Sequence, residues 1–217
     1  MKLGLLTRRE RWALTLRGKL LILGFLSVIP ILVRWQAYPF LAVNRPLDTE
    51  TLIVEGWIPN EALDQAAAEF KRGHYRSLIV VRPKFAADAQ DKFQVDDRDD
   101  VSRLLLGYGV PPESLGTLLY SGVNKDRTYH SALAARRWFG QSSQSPKSFN
   151  VVSMGPHARR SWLLYQKAFE GRALIGIVAL KDPMYDPGHW WRTSEGVRDV
   201  LGEGLAYLYA RLFFFWA

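Results

Sequence analysis

The chain has 217 residues, 48% hydrophobic and 23% charged, enough for one domain with an appendage and a sizeable core. It has no cysteine, which excludes disulfides, thiolate metal sites and a cysteine nucleophile. The net charge of +8 does not point to nucleic acid: residues 1–34 hold seven Lys and Arg against the single acid Glu10, leaving only +2 for the rest, whereas a nucleic-acid binder carries its basic stripe on the folded domain.

Those basic residues precede an apolar segment, the arrangement of a membrane anchor held positive-inside. Leu20–Val33 is uncharged over fourteen residues, short of the roughly 18–20 that a bilayer span needs. Leu14 and Leu16 lengthen it upstream. Downstream, Arg34 beside Trp35 and Tyr38 suits an interface, and the chain stays apolar to Val43. An anchor that spans or lies on the surface competes with a cleaved signal peptide, for which no A-x-A site follows, and with a buried helix. The anchor is the adopted expectation for residues 1–43. If the anchor spans, the basic N-terminus stays on the cytoplasmic side and the globular part, 44–217, faces the far side.

After a polar linker (Asn44–Glu50), strand-like and helix-like patterns alternate. Thr51–Glu55 is a β-rich run closed by Gly56. Asn60 is placed to cap a helix reaching Gly73, with Leu63, Ala66, Ala67 and Phe70 on one face. Ser77–Val81 is a second strand, stopped by Arg82-Pro83, with a loop over 84–91. The acids Asp96, Asp97, Asp99 and Asp100 lead into a helix carrying Val101, Leu104, Leu105 and Tyr108. Leu115–Tyr120, Phe149–Ser153 and Ala173–Leu180 complete five strands. Helices are expected over Arg127–Phe139, His157–Phe169 and about Thr193–Leu212. This alternation predicts an α/β, Rossmann-like three-layer sandwich with a mainly parallel five-stranded sheet, preceded by the anchor helix. The terminal LFFFWA is too apolar for a free tail.

In an open α/β sheet, ligands bind beyond the carboxyl ends of the strands. Four stretches reach that edge. After Phe149–Ser153, His157 and Arg160 lie one helical turn apart: His157 is a candidate acid/base and Arg160 a candidate anion clamp. Arg159 projects elsewhere and is expected to be solvated. Glu55 and Gly56 end the first strand, where a charged residue faces cleft or solvent. Thr128 and His130 open another helix, Thr128 as ligand contact or as cap. Asp97 and Asp99 either bind a cation or act as bases, or simply satisfy the helix dipole. His74 and His189 are assigned nothing, and without H-x-x-x-H spacing no zinc site is expected. No Walker, Rossmann or nucleophile-elbow fingerprint is present.

Taken in order, Leu52-Ile53-Val54-Glu55-Gly56, Gly109-Val110-Pro111 after acids, Thr128-Tyr129-His130-Ser131-Ala132 and Val152-Ser153-Met154-Gly155-Pro156-His157-Ala158-Arg159-Arg160 form a pattern. From Thr51 to about Arg211 the chain resembles the SanA/YdcF-like family (domain of unknown function 218), whose last motif reads H-x-x-R-A. The chain departs from that pattern in three places. Its second strand ends Val81-Arg82-Pro83 instead of Ser-Gly-Gly, His130 and Ser131 replace Glu and Asn, and a single glycine, Gly56, is followed by Trp57.

The resemblance implies a role in envelope integrity or barrier function, and one branch is linked to S-adenosylmethionine binding. For this chain no cofactor is identified. It also implies a polar cleft formed by His157, Arg160, Glu55, Gly56, Asp97, Thr128, His130 and Ser153 that takes an anionic small molecule. The cleft serves either a hydrolase or transferase of phosphorylated or carboxylated envelope precursors, or a binding or membrane-complex protein without turnover. Protein partners are not indicated.

Overall fold

The computed structural model describes residues 14–84, 97–121, 125–141 and 146–214, with Lys84 and 97–100 described by backbone alone. Its helices are α1 (Leu16–Leu41), α2 (Leu63–Arg72), α3 (Asp97–Gly107), α4 (Arg127–Gln141), α5 (Ala158–Phe169) and α6 (Ser194–Leu212). Its strands are β1 (Thr51–Glu55), β2 (Ser77–Lys84), β3 (Leu115–Ser121), β4 (Ser148–Met154) and β5 (Leu174–Leu180). The strands form one all-parallel sheet in the order β3-β2-β1-β4-β5.

Strands buried on both faces are continuous apolar runs whose alternate residues serve opposite layers. Leu52, Val54, Leu78, Val80 and Val152 pack with residues of α2 and α3. Ile53, Ile79, Val81, Phe149 and Val151 pack with residues of α4 and α5. The result is the expected three-layer, Rossmann-like sandwich. The chain order of the strands reverses between β1 and β4, so the crevice between their carboxyl ends is the natural ligand position.

Contacts divide the chain into two compact units, one ending at Gln36 and the other starting at Ala37. In the first, α1 exposes an apolar surface. Over its full 26 residues it is the one helix, among the described residues, long and apolar enough to cross a membrane. Its last turn belongs to the second unit, where Leu41 clusters with Tyr185, Trp190 and Val200. The linker after it is pinned: the Asn150 side chain, fully buried on β4, donates to the Leu47 carbonyl and accepts from the Leu47 amide, both at 2.8 Å.

Three local expectations are corrected. Asn60 does not cap α2; it lies in a 3-10 turn after Pro59, and α2 starts at Leu63 without a side-chain cap. Arg82-Pro83 does not stop β2, which continues pairing with β3 through Pro83↔Tyr120 and Lys84↔Ser121. The Val81 carbonyl points to Gly56. Pro83, two residues on, therefore turns its missing N–H to the side where β1 has already ended, and no ladder bond is lost. Arg159 is not merely solvated: its guanidinium lies 3.9 Å from the Phe40 ring centroid and its Nε donates to the Phe40 carbonyl. Most of the expected 84–91 loop and residues 142–145 lie outside the described residues.

Candidate functional site

A cavity of about 430 Å³ opens at the carboxyl edge of the sheet, within the range of small-molecule sites. Its floor is the end of β1. Glu55 is 2% exposed there, on the sheet face that carries α4 and α5. A buried carboxylate needs donors, and two serines supply them. Ser153 Oγ at the end of β4 donates to Glu55 Oε2 at 2.5 Å, and Ser161 Oγ on α5 donates to Oε1 at 2.9 Å.

His157 is presented by the turn after β4. Gly155 takes φ +29 there, a region that side chains other than glycine adopt poorly, and a 3-10 turn over Gly155–His157 leads into α5. The imidazole is buried, with the side chain 11% exposed. Its Nε2 lies 3.4 Å from Thr128 Oγ1 and 3.9 Å from Glu55 Oε2. Its Nδ1 lies 2.9 Å from Glu203 Oε1 on α6 and 2.8 Å from Arg160 Nη2. One nitrogen cannot donate to the first and accept from the second. We assign the Nδ1 proton to Glu203, because a hydrogen bond to a carboxylate is the stronger of the two. Nε2 is then the ring nitrogen that faces Thr128 and Glu55. Trp57 closes one side of the ring edge-on, with centroids 4.6 Å apart.

Arg160 meets Glu203 in two places, Nε to Oε2 at 2.8 Å and Nη2 to Oε1 at 2.9 Å. Burial alone would raise the Glu203 carboxyl, but hydrogen bonds from His157 and Arg160 outweigh it and hold the group down to about 2. Burial likewise opposes charge on Arg160, yet Glu203, Glu55 and Asp126 together raise its guanidinium above its ordinary value. Four residues away on α6, Asp199 behaves oppositely. Burial raises its carboxyl, and Tyr185, donating at 2.6 Å, only partly offsets this. Asp126, Asp182 and Asp199 also line the cavity, as does Arg127, which has no ion-pair partner among the described residues.

The structure thus gathers Glu55, Thr128, Ser153, His157 and Arg160 into one connected cluster. Gly56 sits at its edge for a packing reason: a Cβ there would meet Arg82 Cγ at 1.9 Å. His130 is exposed and does not line the cavity. Asp97 opens α3, but its side chain, like that of Asp99, lies outside the described residues. Sequence reasoning missed Glu203, Ser161, Trp57 and Arg127 as site residues. Only Ser161, four residues after His157 and so on its helical face, and Arg127, beside Thr128, carried a local signal. Among the described residues no group of His, Asp and Glu is arranged to hold a metal ion. No family model matches this chain, and no curated protein matches it.

Proposed function

We propose that the chain is a membrane-anchored protein of the SanA/YdcF type whose cavity performs acid–base chemistry on a polar small molecule of the cell envelope, as a hydrolase or transferase. One observation carries the reading. The His157 imidazole is held on both sides, by Glu203 at Nδ1 and beside Thr128 and Glu55 at Nε2, inside a cavity of ligand size. A carboxylate on Nδ1 fixes the tautomer and stabilises the imidazolium that forms when Nε2 takes a proton. Arg160, engaged by Glu203, positions that carboxylate. Among the described residues lining the cavity, Arg127 is the cation left for a phosphate or carboxylate of the ligand.

The α1 helix anchors the protein in the bacterial cytoplasmic membrane, with the α/β unit on the extracytoplasmic side. This placement follows the basic residues ahead of the apolar run.

A binding-only reading draws on the acids Asp126, Asp182 and Asp199 around the cavity, which outnumber Arg127 and disfavour a strongly anionic transition state. One experiment separates the two. The detergent-purified full chain is tested for thermal shift and turnover across sugar phosphates, nucleotides and S-adenosylmethionine, beside His157→Ala and Arg127→Ala. Turnover lost in His157→Ala supports catalysis, and shift without turnover supports binding only. No shift with any ligand removes both.

A further inference from the structure

The outer face of α6 is apolar and uncovered. Leu201, Leu205, Leu208, Tyr209, Leu212 and Phe213 recur at three- and four-residue spacing, each between 45% and 71% exposed. The opposite side of the helix packs inward through Gly196, Val200 and Ala210 and carries Glu203 into the cavity. A six-residue stripe of large apolar side chains is more than the scattered exposure that ordinary surfaces show.

Three features of the chain select its occupant. The last turn of α1 rests on α6: the Phe40 and Tyr207 rings meet edge-on with centroids 5.6 Å apart, and Leu41 Cδ1 comes within 3.8 Å of the place where a Gly204 Cβ would stand. The stripe therefore adjoins the last turn of α1, the part of that helix that belongs to the second unit. Arg198 and Arg211, both exposed, lie at its N-terminal end and along its flank, where anionic headgroups would meet them. Phe214 turns inward onto Tyr129, and the sequence beyond it continues as Phe-Trp, aromatic residues that favour a bilayer interface. We infer that α6 lies on the membrane with this stripe in the acyl boundary, making a second contact with the bilayer beside the α1 anchor. The inference rests on the proposed anchoring by α1.

The absence of cysteine makes the test direct. Single-cysteine full-length variants Leu205→Cys, Leu212→Cys, Glu170→Cys and Phe25→Cys replace exposed side chains. Each is labelled with an environment-sensitive fluorophore. The labelled proteins are reconstituted in phosphatidylcholine–phosphatidylglycerol vesicles containing lipid spin-labelled on the acyl chain. Blue-shifted emission and loss of fluorescence at Leu205 and Leu212, absent at Glu170, is the expected result. Loss at Phe25 without loss on the stripe overturns the inference and leaves the anchor standing. No loss at Phe25 or on the stripe overturns both. Excimer emission between pyrene labels at Leu205 assigns the stripe to a second copy of the chain and also overturns the inference.

Discussion

Glu203 reaches His157 Nδ1 at 2.9 Å across 46 residues of sequence, so the last helix of the fold sets the orientation of the imidazole presented by β4. The same carboxylate takes two hydrogen bonds from Arg160.

Replacing Glu203 with Gln removes this hold. Because the folded Glu203 carboxyl is lowered to about 2 from its ordinary value of 4.5, its ionised form stabilises the protein above about pH 4.5. That contribution is lost as pH falls through the folded value. Glu203→Gln is therefore expected to cost about 2–3 kcal/mol near neutral pH. Urea unfolding at a series of pH values should show the gap narrowing from pH 4.5 downward. A gap that is constant with pH would contradict the assignment.

Asp199→Asn should act in the opposite sense. The folded Asp199 carboxyl is raised, chiefly by burial, so ionising it opposes folding once pH exceeds its ordinary value. The variant keeps an acceptor for the Tyr185 hydroxyl. Its melting temperature should exceed that of the parent at neutral pH, and the two should converge in acid. Differential scanning calorimetry checks both points.

Gly56→Ala places a methyl group 1.9 Å from Arg82 Cγ and 2.8 Å from the Val81 carbonyl oxygen. The side chain can move and the backbone cannot. The substitution is expected to cost about 1–3 kcal/mol. Adding Arg82→Ala should recover part of that loss and not all of it, which a double-mutant cycle in denaturant would measure.

Asn150→Ala strips partners from the Leu47 backbone and from the Tyr75 hydroxyl, to which the amide donates at 2.7 Å. The expected loss is about 2–3 kcal/mol. Limited proteolysis should cut within residues 44–50 faster than in the parent, because this side chain is one of the ties, with the Arg45–Ile177 bridge and the Thr49–Ser148 hydrogen bond, that hold the linker against the sheet.

Much of the fold could be read from local pattern. Apolar runs of strand length separated by amphipathic helices sufficed for five parallel strands, because each layer of the core is built from alternate residues of those runs. His157 and Arg160 were legible for the same reason, being one helical turn apart at a strand's end. Glu203 was not. It lies in a helix whose sequence shows no motif, and only the packing of α6 on α5 and on the turn before it brings it to the site. The proposed duty of Arg160 shifted with it, because a neighbouring carboxylate decides whether an arginine is available to a ligand. Pro83 misled through a rule that holds for central strands and not for a strand that has outrun its neighbour.

That outrunning has a consequence for the cavity. β1 stops at Glu55, opposite Val81, while β2 and β3 continue side by side through Arg82, Pro83 and Lys84. The sheet therefore has a step, and Val81, Pro83 and Tyr120 form its riser, facing the cavity. Glu55 and Ser153 sit on the tread, at the ends of β1 and β4, and the riser is the length by which β2 and β3 outrun β1. The cavity wall of Val81, Pro83 and Tyr120 and the floor of Glu55 and His157 thus come from separate segments, joined where Arg82 lies against Gly56 and where the Tyr120 hydroxyl donates to the Arg127 carbonyl.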